Sequence, residues 1–195
     1  MEHPEHVSEL VLWALVTSRA RDIHWLTHVM GDVYPEEFDR LLNIVPVTER
    51  SGNVAAAIHR LLRSGDPEVR DEAALAWCSW EDRLATLSGP VTAWRTAQDP
   101  LAWLGFSRIV THYFSNNAFQ ADDAITSRLD RIAHVPAYFL RGRLDIASPL
   151  RSAYEIAQKL PNSILDIVEA DAHGAGDDTI QRLVDTLDRL GSRQQ

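Results

Sequence analysis

Apolar residues collect in three short runs set at unequal distances along the chain. Residues 7–12 end in Leu10-Val11-Leu12, residues 137–140 stand between Pro136 and Arg141-Gly142, and residues 164–168 run up to Glu169-Ala170. Runs this short, bounded by Pro and Gly and rich in branched and aromatic residues, predict β-strands. A helical pattern over residues 149–160 separates the last two, and strand, helix and strand at this spacing predict a parallel βαβ unit. The closing segment, residues 177–190, sets Ile180, Leu183, Leu187 and Leu190 on one side of a helix, with Gly191 as its C-cap.

Between the first and second runs the pattern changes period. Residues 20–133 read as helical throughout, most clearly over 67–87, where Val69, Ala73, Leu75, Ala76 and Trp80 recur at helical spacing. Asp66 is the candidate N-cap of that helix, with Pro67 at its first position. Pro35, Pro46, Gly89-Pro90 and Asp99-Pro100 punctuate the stretch, which holds five of the tryptophans: Trp25, Trp77, Trp80, Trp94 and Trp103. The expected layout is α/β: residues 1–19 and 134–195 as a partial parallel sheet with its helices, and residues 20–133 as a large helical insertion. Such an insertion within a parallel sheet acts as a cap over a pocket.

Composition narrows the function classes. At 195 residues the chain can bury roughly 70% of its unfolded surface and needs no metal or disulfide staple. A net charge of −9, with basic residues scattered among acidic ones, argues against nucleic acid and anionic membrane as partners. No apolar run reaches the roughly 20 residues of a membrane span, and the polar start is unlike a secretory signal. One cysteine, Cys78, excludes an internal disulfide and suits a reducing cytoplasm.

Two residues stand where chemistry is expected. Asp145 follows the second strand in Gly142-Arg143-Leu144-Asp145, and His173 follows the third in Asp171-Ala172-His173-Gly174. Loops at the carboxyl ends of parallel strands face the ligand crevice, and neighbouring strands would bring these two loops together. A carboxylate beside an imidazole fixes its tautomer and stabilises the imidazolium. The order acid, then histidine, matches the last two members of an α/β-hydrolase triad. The plainer alternative is that Asp145 caps a turn and His173 is a polar loop residue. No Gly-x-Ser-x-Gly nucleophile elbow occurs, the serines at 51, 64, 88 and 107 lack its glycine pattern, and Cys78 falls inside a helix. His24 and His28 have a metal-compatible spacing without a third ligand, and ordinary packing is the simpler reading. His112-Tyr113-Phe114 either lines a pocket or packs a core.

Taken together, these segments resemble the proline iminopeptidases, serine peptidases of the α/β-hydrolase fold. The resemblance runs from about His3 to Leu190. It is carried by His3-Pro4-Glu5-His6-Val7-Ser8-Glu9-Leu10-Val11-Leu12, Trp77-Cys78-Ser79-Trp80-Glu81, Arg108-Ile109 leading into His112-Tyr113-Phe114, Asp122-Asp123 and Gly142-Arg143-Leu144-Asp145. It implies that Asp145 and His173 complete a triad, that Glu81 binds the free amino terminus of a peptide or small amine-bearing substrate, and that Ala147 and Ser148 line the pocket after the acid. A carboxylate facing an amine is a strong, charge-assisted contact; the alternative for Glu81 is a solvated helix glutamate. The chain departs from the family where a second glutamate is expected, at Val110, and it lacks the half that supplies the nucleophile and oxyanion hole.

The resemblance therefore implies a serine aminopeptidase fragment that is inactive alone and needs no cofactor; the single cysteine and the missing third ligand beside His24 and His28 lead to the expectation of a cytoplasmic chain without a metal. The alternative is a non-catalytic binding protein derived from the same fold. Either way, the edge of strand 7–12 is expected to lack one partner and to invite self-association or a complementary N-terminal chain.

Overall fold

The computed structural model describes residues 2–87, 91, 93–173 and 176–192. The Gly89-Pro90 break and the Gly174 that follows His173 lie outside the described residues. The chain divides into two compact units, one joining residues up to Thr17 with those from Asp123 onward, the other running Ser18–Asp122.

The first unit is built on a three-stranded parallel sheet in the order β1-β2-β3, with β1 Leu10–Trp13, β2 Ala137–Gly142 and β3 Ser163–Val168. Leu10 lies opposite Ala137 and Leu12 opposite Phe139, which in turn faces Leu165. Alternation does the rest, because successive strand residues point to opposite faces. Leu10, Leu12, Ala137, Phe139 and Leu165 pack with Leu129, Ile132, Ile156 and Leu160 in one core. Ile156 belongs to α6, Leu150–Lys159, the crossover that keeps β2 and β3 parallel. Val11, Tyr138 and Ile164 line up on the other face, where they border a cavity with Leu183 of α7, Asp177–Gly191. Arg189 of the same helix lies over the Tyr138 ring, its guanidinium carbon 5.2 Å from the centroid.

Element boundaries differ from the sequence reading by a few residues. A short 3-10 turn, Pro4–His6, precedes the apolar run, whose first three residues are irregular, and ladder bonding starts only where the Leu10 N–H donates to the Pro136 carbonyl. β2 continues through Arg141 and Gly142, because the Arg141 side chain is buried rather than solvated. Gly191 is the last residue of α7 instead of its cap, which is Ser192.

The second unit is helical: α1 Ala20–Thr27, α2 Pro35–Asn43, α3 Val54–Leu61, α4 Pro67–Ala85 and α5 Pro100–Ser115. Side-chain caps set three of the starts. Asn53, Asp66 and Asp99 accept from the backbone N–H of Ala56, Glu68 and Ala102, and Pro67 and Pro100 open α4 and α5. Central α4 is buried on several sides, through Ala73, Ala74, Trp77, Cys78, Trp80 and Leu84. Leu75, read from the sequence as part of the buried period, is exposed. Trp80 donates its indole N–H to the Leu26 carbonyl and leans on Phe38. The helix ends at Ala85, two residues short of the expected limit, where Thr86 turns extended. Non-helical backbone then fills the described residues up to Asp99. The two ends of this unit meet, since the Ala20 N–H donates to Asp122 Oδ1 at 2.7 Å. Among the described residues, no helix is long and apolar enough to cross a membrane.

Candidate functional site

Two loops at the carboxyl ends of β2 and β3 hold each other in place. The Arg143 N–H donates to the Val168 carbonyl and the Leu144 N–H to that of Asp171, both at 2.9 Å. Gly142 permits this approach: a Cβ there would fall 2.3 Å from the Asp171 carbonyl oxygen. Asp171 in turn secures the start of α7, accepting from the N–H of Gly176 and Thr179 and from the Thr179 hydroxyl. Neighbouring parallel strands thus fix both the acid-bearing and the histidine-bearing loop.

Within this frame Asp145 Oδ1 lies 3.1 Å from His173 Nδ1, with 3% and 30% of the two side chains exposed. A carboxylate only accepts, so Nδ1 carries the hydrogen and Nε2 keeps its lone pair for an incoming proton. Among the described residues His173 hydrogen-bonds to Asp145 alone. The second carboxylate oxygen, Oδ2, faces Arg141 at 3.2 Å. That guanidinium is wholly buried, and it also donates to the Ser148 carbonyl and hydroxyl at 2.8 Å and to the Leu15 carbonyl at 3.2 Å. It links the chain after β1 to the acid loop, while its Nε makes no hydrogen bond among the described residues. Burial pulls the Arg141 pKa down, and the Asp145 charge opposes that. Sequence reasoning missed Arg141; an arginine inside an otherwise apolar strand was the available signal.

The pocket candidates fare differently. Ser148 is buried and its hydroxyl accepts from Arg141, whereas Ala147 is half-buried. In the helical unit the Glu81 side chain is only 11% exposed, Trp77 Nε1 donates to its Oε1 at 3.0 Å, and Arg95 stands 3.2 Å from Oε2. The half-buried Val110 lies on α5. Cys78 is buried against Ser107, and burial pushes its thiol pKa up, so it is not poised as a thiolate. His24 and His28 stack at 4.7 Å; His28 engages Thr27 Oγ1 through Nδ1 and the Gly52 carbonyl through Nε2, which commits both its nitrogens to packing. His112 stacks on His59 and, with Tyr113, packs against Phe119, whereas Phe114 approaches Trp77, so the aromatic trio divides between a His59–Phe119 cluster and the α4 side. Among the described residues, the group with mutual metal-ligand spacing is His3, Glu5 and His6, all exposed.

No protein-family model matches the chain. Curated relatives do. A probable proline iminopeptidase of Streptomyces coelicolor is 36% identical over 191 residues, covering 96% of this chain and 58% of that protein. The proline iminopeptidase of Neisseria gonorrhoeae is 33% identical over 197 residues, 96% of this chain and 61% of its own length. That of Arabidopsis thaliana is 31% identical over 177 residues, 90% of this chain and 47% of its own. The chain spans about half the length of the relatives it matches.

Proposed function

The chain belongs to the proline iminopeptidase family, whose C-terminal part it covers with a partial α/β-hydrolase fold, and on that footing we propose that it supplies the acid and histidine of a serine aminopeptidase. The observation that carries this reading is the 3.1 Å contact between Asp145 and His173 at the ends of adjacent parallel strands. In this mechanism a serine outside the chain attacks the carbonyl of the N-terminal residue. His173 Nε2 takes the serine proton and then gives it to the departing amine, and Asp145 holds the ring in the Nδ1–H tautomer. Water next hydrolyses the acyl-enzyme by the same proton path. Glu81 receives the free amino group of the substrate, and Ala147 and Ser148 belong to the pocket wall. The reading needs no cofactor, and a lone cysteine agrees with work in the cytoplasm.

The serine is proposed to arrive on a complementary N-terminal polypeptide that pairs with the outer edge of β1. In support, β1 pairs only with β2 among the described residues. The test mixes the chain with the preceding portion of the Streptomyces relative and follows proline p-nitroanilide hydrolysis. The chain alone gives negligible turnover. Restored activity should fall about 10⁴-fold on Asp145→Asn and at least as far on His173→Ala. Activity in the mixture that is indifferent to His173→Ala rules the mechanism out.

A further inference from the structure

Glu81 and Asp82 are consecutive on α4, and both hold Arg95. Asp82, with none of its surface exposed, accepts from the backbone N–H of Arg95 at 2.9 Å, from that of Thr96 at 3.0 Å and from the Thr96 hydroxyl at 2.7 Å. This buried anchor places the Arg95 guanidinium 3.2 Å from Glu81 Oε2 and 3.4 Å from Asp82 Oδ1, over the Phe106 ring at 4.9 Å. With Trp77 Nε1 on Oε1, both oxygens of Glu81 are engaged by side chains of the protein itself.

We propose that Arg95 is a resident cation seated on Glu81, and that it determines which amines this chain accepts. The inference rests on the reading of Glu81 as the amine-binding carboxylate. A substrate ammonium must then displace a guanidinium that is tethered through its own backbone to Asp82. Apparent affinity falls in proportion to the fraction of molecules in which Glu81 is vacant, so a cation seated 99% of the time costs about a hundredfold. Val110 stands where the family resemblance implies a second glutamate, so that position adds no carboxylate to the seat. The seat is imperfect, because Arg95 Nε is buried without a hydrogen bond among the described residues, and this favours displacement by a good amine.

NMR-monitored titration of the chain with L-prolinamide, an amine without a carboxylate, tests the proposal. Arg95→Met should bind about ten- to a hundredfold more tightly than the unsubstituted chain, Arg95→Lys should stay close to it, and adding Glu81→Gln to Arg95→Met should abolish the gain. Arg95→Gln provides the same comparison if methionine loosens the segment. If both neutral variants bind no better while Glu81→Gln weakens the unsubstituted chain, the role of Arg95 is overturned and the reading of Glu81 survives. A gain that persists in the Glu81→Gln background, or no binding by either neutral variant, overturns both.

Discussion

Arg141 and Asp145 form an ion pair at 3.2 Å in which 0% of one side chain and 3% of the other are exposed. Removing one member of such a pair leaves a buried charge without its counterpart, which costs about 3–5 kcal/mol. Arg141→Met and Asp145→Asn are therefore each expected to lower stability by about that amount. Arg141→Met combined with Asp145→Asn, which removes both charges, should cost clearly less than the sum of its single changes. Urea unfolding of the four proteins measures the coupling. Additive losses would mean that the two residues stabilise the fold independently.

At Gly142 the restriction is steric. An added Cβ meets the Asp171 carbonyl oxygen at 2.3 Å, and backbone cannot rotate away as a side-chain tip would. Gly142→Ala should cost about 2–3 kcal/mol, at the upper end of overpacking losses. It should also disturb the His173 ring signals, since the displaced loop is the one that carries them. A thermal melt and a histidine-selective NMR spectrum check both effects; an unchanged spectrum would separate the loop contact from the Asp145–His173 geometry.

Asp82 makes a comparable case in the helical unit. Asp82→Ala strips acceptors from the Arg95 and Thr96 amides and from the Thr96 hydroxyl. With about 1.5–3 kcal/mol for each hydrogen bond to a charged group, offset by rehydration of the freed donors, a net loss of about 3 kcal/mol is expected. Hydrogen exchange offers the specific readout: the Arg95 and Thr96 amides should exchange much faster, and amides within α3 should hardly change.

Acid should weaken the helical unit through two histidines. Burial holds both His28 and His59 below the ordinary imidazole value of 6.5, helped by repulsion from His24 and His112 respectively. Between the lowered values and 6.5 the unfolded chain binds more protons than the folded one. Their contribution is thus complete above 6.5 and is lost as pH falls through the lowered, folded values. Urea midpoints taken between about pH 7.5 and about pH 5 should decline, and His28→Gln should flatten the decline. A midpoint independent of pH over that range would show that the two rings titrate alike in both states.

The sequence located most elements because their cause is local. Apolar runs marked all three strands, and Asp66-Pro67 marked the start of α4 with its cap in place. Asp145 and His173 could be placed on adjacent loops because a βαβ crossover makes consecutive strands neighbours. Arg141 and Arg95 escaped for a shared reason. A charge in a strand reads as the strand's end unless its burial is known, and a guanidinium fourteen positions from its carboxylate belongs to no helical or strand period. The end of α4 was misplaced for a related reason: its last turn is followed by backbone that Asp82 captures across the loop.

The hydrogen bond from the Ala20 N–H to Asp122 Oδ1 also bears on the order of folding. β1 and β2 must pair across the entire Ser18–Asp122 unit, and a chain that long, closed at random, forfeits entropy before any ladder bond forms. A helical unit whose two termini meet removes most of that search, since its own mostly local helices can form first and deliver both strands already close together. On this view the insertion works as a folding scaffold: slowing its assembly should slow the sheet, whereas loosening the sheet should leave assembly of the insertion at its own rate.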